Sequence, residues 1–313
     1  MTVYTGIWKI FTNKLLRSNK ILSILILLCL IITVLIILLI NVQGCDCNSV
    51  GGSLLSQSTL HDQHELCLII PFRDRFDELL IFLMHMKVFL ERQNIVYHVY
   101  VVNQVDSYRF NRGSLINVGF LYIQENTHCD FIAMHDVDLI PINPRLNYSY
   151  PGDAIMHIAA PDLHPKYHYK TFLGGILMMK NEHFQTVNGL SNKYWGWGLE
   201  DDELYVRIKE ARIRIERPEN VGSGIDNTFR HVHDKARRRR DMQKCYNQKE
   251  VTRKRDRDTG LHNVQYDIPS HYVMHVNGSS AVILNVALRC NHTLTPWCVC
   301  KGGATAAKVG PKP

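Results

Sequence analysis

Residues 21–40 carry no charged side chain. Twenty helical residues reach about 30 Å, the hydrocarbon thickness of a bilayer, so this run restricts the chain more than any other stretch. A secretory signal has a shorter apolar core followed by small residues at a cleavage site. Here the run is longer and ends without such a site, and a retained anchor is expected. Lys9, Lys14, Arg17 and Lys20 precede it, whereas no Lys or Arg occurs between Asn41 and Phe72. That asymmetry keeps residues 1–20 in the cytosol and sends the remainder across the membrane. The expected topology is single-pass, type II, with a large luminal or extracellular C-terminal part.

The sequons at Asn147, Asn277 and Asn291 all lie beyond the span, as do eight of the nine cysteines. Both agree with a compartment that permits N-glycosylation and disulfides. Cys245, Cys290, Cys298 and Cys300 cluster late in the chain. Sequence alone does not give their pairing. Cys298-Val299-Cys300 is too tight to close on itself easily, and the pairing chosen is Cys245 with Cys300. A cysteine-rich zinc site is the rival reading, but C-x-x-C pairs are absent.

Residues 41–64 are rich in Gly, Ser, Gln and Asn and read as a stem. A folded domain is expected over 65–300, followed by a tail, 301–313, with no assigned role. The apolar run 66–70, ended by Pro71, reads as a buried strand. Asp77 is expected to cap a helix to about Arg92, with Leu79, Leu80, Leu83, Met86 and Leu90 near helical spacing. A strand over 96–102, a helix over 114–125 and a strand over 131–134 continue the alternation. This predicts an α/β fold with a mostly parallel sheet built from right-handed crossovers. Further strands are expected at 155–159 and 175–179, and a helix over 201–211. In such sheets ligands bind beyond the carboxyl ends of the strands. Pro71-Phe72-Arg73-Asp74-Arg75 and Asp136-Val137-Asp138 both fall there.

The whole chain has a formal net charge of +7. Residues 230–257 hold twelve Lys or Arg against four Asp or Glu, and Arg237 to Arg240 form an unbroken basic run. A solvated face explains such a run as readily as function does. Across a membrane, nucleic acid is not the expected partner; an acidic donor or an acidic glycan-bearing protein is.

Three segments carry chemistry. Asp136 and Asp138, two apart, share a face if the backbone is extended, and two such carboxylates repel unless a cation joins them. Oxygen ligands suit Mg²⁺ or Mn²⁺. His231 and His233 show the same spacing, and mixed carboxylate and imidazole ligation by Asp138, His231 and His233 favours Mn²⁺. The third segment is Trp195-Gly196-Trp197-Gly198-Leu199-Glu200-Asp201-Asp202-Glu203. Helix-start carboxylates are stabilised by the dipole, but four in succession exceed any capping need. One is a candidate general base toward a sugar hydroxyl, and the tryptophans suit apolar sugar faces. Arg73 and Arg75 follow a strand and suit a phosphate or nucleotide, although an ion pair with Asp74 or Asp77 explains them equally well.

Pro71-Phe72-Arg73-Asp74-Arg75, Phe110-Asn111-Arg112, Asp136-Val137-Asp138, Gly174-Gly175 and the Trp195 to Asp202 segment occur in the order found in beta-1,4-galactosyltransferases. The resemblance covers about residues 65–300, and the ordered set is far more specific than any member. His164 to Lys170 and Phe229 to Asp234 resemble the branch that galactosylates xylose. The resemblance implies a GT-A glycosyltransferase fold, a UDP-galactose donor and inverting, Mn²⁺-dependent transfer to the 4-hydroxyl of xylose on proteoglycan core proteins. It implies that Asp138, His231 and His233 bind the metal. Asp201 is then the catalytic base, Asp202 orients the acceptor, and Glu200 joins them. Pro71, Phe72, Arg73, Arg75, Phe110, Arg112, Asp136, Val137, Asp138 and Trp197 are implied for the donor. Tyr167, Tyr169, Trp197, Leu199, Asp201 and Asp202 are implied for the acceptor. Phe172 is bulky where the family limits room at sugar carbon 2, and a loop from about 232 to 252 is expected to close on bound donor. The implied location is the Golgi membrane. Two other readings stay open: a relative using another UDP-sugar or acceptor, and a membrane-anchored lectin.

Overall fold

The computed structural model describes residues 28, 30–34, 64–222, 224–233, 236 and 239–300. The chain divides into two units, Met1–Ser58 and Thr59–Pro313. In the first, residue 28 and residues 30–34 are helical and exposed. The expected tail 1–20, most of the 21–40 span, the stem up to residue 63 and the tail 301–313 lie outside the described residues. Among the described residues no helix is long and apolar enough to cross a membrane.

The second unit starts with β1 (Glu65–Phe72), α1 (Phe76–Glu91), β2 (Val96–Gln104), α2 (Arg112–Asn126) and β3 (Phe131–His135). β1 pairs in parallel with both β2 and β3. Its side chains alternate between two cores. Leu66, Leu68 and Ile70 pack with Leu79, Phe82, Leu83 and Met86 of α1. Cys67 and Ile69 pack with Leu115, Ile116 and Phe120 of α2. The first crossover therefore covers one face and the second the other, because β2 and β3 lie on opposite sides of β1. This is the switch point at which open α/β sheets bind ligands. Pairing with β3 stops at Ile69, so Pro71, which has no N–H, falls past the end of that ladder. Arg75, not Asp77, is the N-cap of α1, and it makes no side-chain cap bond; Asp77 lies in the first turn.

After β3 come β4 (Leu139–Pro141), β5 (Ala154–His157), β6 (Ile176–Lys180), α3 (Asn181–Thr186), α4 (Glu200–Glu210), β7 (Arg214–Glu216), β8 (Phe229–His231) and α5 (Gln248–Val251). A hairpin, β9 (Tyr266–Val276) and β10 (Ser279–Leu288), completes the sheet. The strand order is β7-β5-β6-β3-β1-β2-β10-β9, with β4 and β8 forming a separate ribbon. The sheet is mixed: β6 runs antiparallel to β3 and β5, and β9 antiparallel to β10. The hairpin, absent from the sequence reading, turns at Asn277 (φ 47°) and Gly278 (φ 76°). Two positive φ values mark a type I′ turn, which the Asn-Gly pair signals.

Three disulfides close the unit. Cys245–Cys300 is the pairing expected from sequence, and Cys290–Cys298 accounts for the other two late cysteines. Cys67–Cys129 ties β1 to the loop before β3. Closing that loop stabilises the fold by roughly 4 kcal/mol in the chain-entropy view.

Candidate active site

Asp136 and Asp138 follow β3 in a turn, closed by the Leu139 amide donating to the Asp136 carbonyl at 3.3 Å. The extended backbone expected for Asp136-Val137-Asp138 is therefore absent, and the two carboxylates take different partners. Asp136 Oδ1 accepts from Arg112 Nε at 2.8 Å. Asp138 Oδ2 lies 3.3 Å from His233 Nδ1 and 3.8 Å from His231 Nε2. The β4–β8 ribbon makes this meeting possible. It sets Leu139 opposite His231, and the Val232 amide donates to the Asp138 carbonyl at 2.7 Å. Two imidazoles then flank one carboxylate.

The electrostatics fit a cation. Burial, then repulsion from Asp136, pushes Asp138 up to about 6, although Arg75, Arg240 and Lys166 oppose the shift. Burial and the nearby Lys166 ammonium hold His231 down at about 3. His233 is lowered by burial and by Arg75. Both rings therefore stay neutral with lone pairs to offer, as metal ligation requires. One carboxylate and two neutral imidazoles are a donor set that suits Mn²⁺.

A second group of acids opens α4. Leu199 (φ 76°) is the N-cap, and Glu200, Asp201, Asp202 and Glu203 fill the first turn. Their side chains diverge. Glu203 turns inward and accepts from Arg207 Nε at 2.7 Å and Arg255 Nη1 at 2.6 Å, so it is structural. Glu200 and Asp201 are raised by burial, and Glu200 also by the Asp201 charge, with Arg112 opposing. Each carboxyl therefore takes up a proton more readily than it would in water. Glu200 Oε2 and Asp201 Oδ1 are buried without a hydrogen-bond partner; Arg112 Nη1 stands 3.8 Å from Asp201 Oδ1. Polar atoms shut away from both solvent and protein partners are ones that a polar ligand could satisfy. Burial opposes the Arg112 charge, but Asp136, Asp201 and Glu200 together outweigh it. Asp201 also needs Gly174, because a Cβ there would strike its Oδ2 and the Phe172 ring.

Aromatic side chains form the rim. Trp195 is buried against Tyr108, whereas Trp197 is 39% exposed. Gly196 (φ 81°) and Gly198 (φ 102°) allow the backbone reversals that push Trp197 outward. Tyr167 lies 6.4 Å from Trp197 and 5.1 Å from Phe172, ring to ring. Burial and the Asp201 charge raise Asp202, and the Tyr169 hydroxyl beside it opposes the shift. Leu199 is exposed beside them.

Other expected donor residues are placed less directly. Phe72 and Val137 send their side chains into the core, and Pro71 is buried. Arg73 donates to the carbonyls of Gln104, Tyr108 and Asp106 and lies 5.8 Å over Phe110. It shapes the loop after β2. Arg75 Nη1 meets His233 Nδ1 at 2.9 Å and Glu78 Oε1 at 3.4 Å.

Three residues were missed. Arg240, within the basic run, stands 5.0 Å over the Trp197 ring and donates to the Tyr167 hydroxyl at 2.6 Å. Arg109 donates to Asp241 Oδ2, the Gln243 carbonyl and Gln248 Oε1, pinning the segment that follows the histidines. Lys166 Nζ is 2.8 Å from His231 Nδ1. A count of charge gives no sign of these contacts, which only the folded chain creates.

Two family models match. One, described as the N-terminal region of glycosyl transferase group 7, covers residues 47–151. The other, described as the N-terminal domain of galactosyltransferase, covers residues 154–234. Beta-1,4-galactosyltransferase 7 of Drosophila melanogaster is 54% identical over 247 residues, 79% of this chain and 76% of that protein. Its Homo sapiens counterpart is 50% identical over 235 residues, 75% of this chain and 71% of that protein. A crystal structure of a Drosophila beta-1,4-galactosyltransferase 7 mutant in complex with manganese, UDP-Gal and xylobiose superposes with a TM-score of 0.73. It is 53% identical and covers 76% of this chain and 99% of that one. On this ground the chain belongs to the beta-1,4-galactosyltransferase family and is a glycosyltransferase.

Proposed function

We propose that the protein transfers galactose from UDP-galactose to the 4-hydroxyl of xylose on proteoglycan core proteins, with inversion at the anomeric carbon. The observation that carries this reading is the convergence of Asp138, His231 and His233 close to the acidic start of α4. The relatives whose donor, acceptor and metal are known by name support it.

In this reading Asp138, His231 and His233 hold Mn²⁺. Bound there, the ion would offset charge gained by the departing diphosphate. Arg75, Lys166 and Arg240 add positive charge around Asp138. Arg112 keeps Asp136 and Asp201 in place. Asp201 accepts the proton of the acceptor hydroxyl as its oxygen attacks the anomeric carbon, and UDP leaves with the bonding electrons. Glu200, next to Asp201 at the start of α4, adds a second buried carboxyl beside the base. Asp202 and Tyr169 hold a neighbouring hydroxyl, and Trp197 and Tyr167 cover the apolar face of the sugar. Phe172 is bulky where the family limits room at carbon 2 of the donor sugar, which favours galactose over its N-acetylamino analogue. Residues 21–40 would anchor the enzyme in the Golgi membrane with the catalytic unit luminal.

The test is UDP release by the detergent-solubilised full-length protein given UDP-galactose, Mn²⁺ and an aryl xyloside. Release should stop on chelation and return with Mn²⁺. Xyloside binding without UDP release would replace the enzyme reading with a lectin. Equal turnover of UDP-N-acetylgalactosamine would remove the donor assignment.

A further inference from the structure

Lys166 lies nearer to the His231 ring than Asp138 does. Its Nζ is 2.8 Å from Nδ1 and 3.3 Å from Nε2, whereas Asp138 Oδ2 is 3.8 Å from Nε2. His233 is met in a similar way: Arg75 Nη1 is 2.9 Å from Nδ1, the nitrogen that also faces Asp138. The groups that suit a divalent cation therefore already hold two monovalent ones. Their tethers differ. Arg75 is the N-cap of α1, so its backbone is fixed at a helix start. Lys166 lies in the irregular stretch between β5 and β6, and its charge rides on a flexible four-carbon stem. A divalent cation and an ammonium cannot both take the His231 lone pair. Two positive centres a few ångströms apart repel strongly where water is excluded. Entry of a metal requires the ammonium to leave, and the oxygens of a nucleotide diphosphate give it a destination.

We propose that Lys166 is a displaceable counter-cation: it holds His231 in the ligand-free enzyme and moves onto the diphosphate of the donor when the divalent ion enters. The inference rests on the galactosyltransferase reading above, because it needs a metal and a diphosphate at this place. Its consequence is coupling. The donor draws the lysine away from the imidazole and so tightens metal binding, and by linkage the metal tightens donor binding by the same factor. Lys166 is then a positioning residue that sets the order in which the site fills.

The experiment measures Mn²⁺ affinity of the full-length protein in detergent, from the paramagnetic resonance of the free ion, with and without UDP. In Lys166→Met, Mn²⁺ alone is expected to bind about tenfold tighter than in the wild type. The further tightening caused by UDP should shrink, and UDP should bind several-fold more weakly at saturating Mn²⁺. Lys166→Arg, which keeps the charge, should stay near the wild type on all three measures. Lys166→Gln repeats the neutral test with a polar side chain should the Met variant fail to fold. Equal or weaker Mn²⁺ binding by the neutral variants, with the wild type binding normally, overturns the inference alone. A wild type that binds no Mn²⁺, with or without UDP, removes the metal reading and the inference with it.

Discussion

The site has two ends that treat charge in opposite ways. At the end proposed for the metal, one buried carboxylate and two neutral imidazoles are surrounded by Arg75, Lys166 and Arg240. At the end proposed for the acceptor, Glu200, Asp201 and Asp202 crowd a helix start, with Arg112 between them and Asp136. The first end has two imidazoles kept neutral, with lone pairs to give, beside a carboxylate whose charge burial disfavours. The second gathers buried carboxyls that all resist losing their protons. In the proposed function, this contrast would let one cleft hold a cation and a general base without either neutralising the other. Arg112 is the partition, since it meets Asp136 on one side and Asp201 on the other.

The largest expected effect isolates the acceptor end. Asp201→Asn should lower kcat by about 10²–10⁴, the usual range for a lost general base. Mn²⁺ affinity should not change, because Asp201 makes no contact with Asp138 or the histidines among the described contacts. Parallel loss of metal binding would show that the two ends are one unit. Next in size is the response to acid. Burial raises Asp201 and Glu200 above their ordinary values, so the base gains its proton at a higher pH than a free carboxylate, which titrates near ~4. The rate at saturating Mn²⁺ and donor should therefore fall about tenfold per pH unit below a limb that lies above ~4. A limb at the free-carboxylate value would contradict the burial of this pair. The smallest effect concerns the rim. Trp197→Ala should raise the xyloside KM about fivefold, the ~1 kcal/mol scale of an aromatic face contact, with the UDP affinity at saturating Mn²⁺ little changed. A larger change in UDP binding than in xyloside KM would move Trp197 from the acceptor side to the donor side.

Much of the fold was legible because burial leaves a periodic trace. The run through β1 reads as a strand because both of its faces are covered. The spacing of Leu79, Leu83, Met86 and Leu90 reads as a helix because one of its faces is. The β9–β10 hairpin was missed although Asn277-Gly278 announces its turn. β9 is an edge strand with most side chains exposed, so it lacks an alternating pattern. The structure brings together Asp138, His231 and His233, which the sequence grouped, but the two-apart argument for Asp136 and Asp138 fails because the backbone turns there. Glu203 shows the limit of composition: it belongs to an acidic run yet serves the core through Arg207.

Local pattern alone therefore determined the alternating strands and helices, the strand-end position of the acids and the set of residue types needed for sugar transfer. These follow from side-chain periodicity and backbone preference, which act over a few residues. Which groups touch was decided by the tertiary structure. The β4–β8 ribbon brings Asp138 to the histidines, Arg112 separates the two acidic groups, and Lys166 and Arg240 reach the site from loops without periodicity. Coulomb forces and desolvation depend on distance in space, and distance in space is fixed only once the chain has folded.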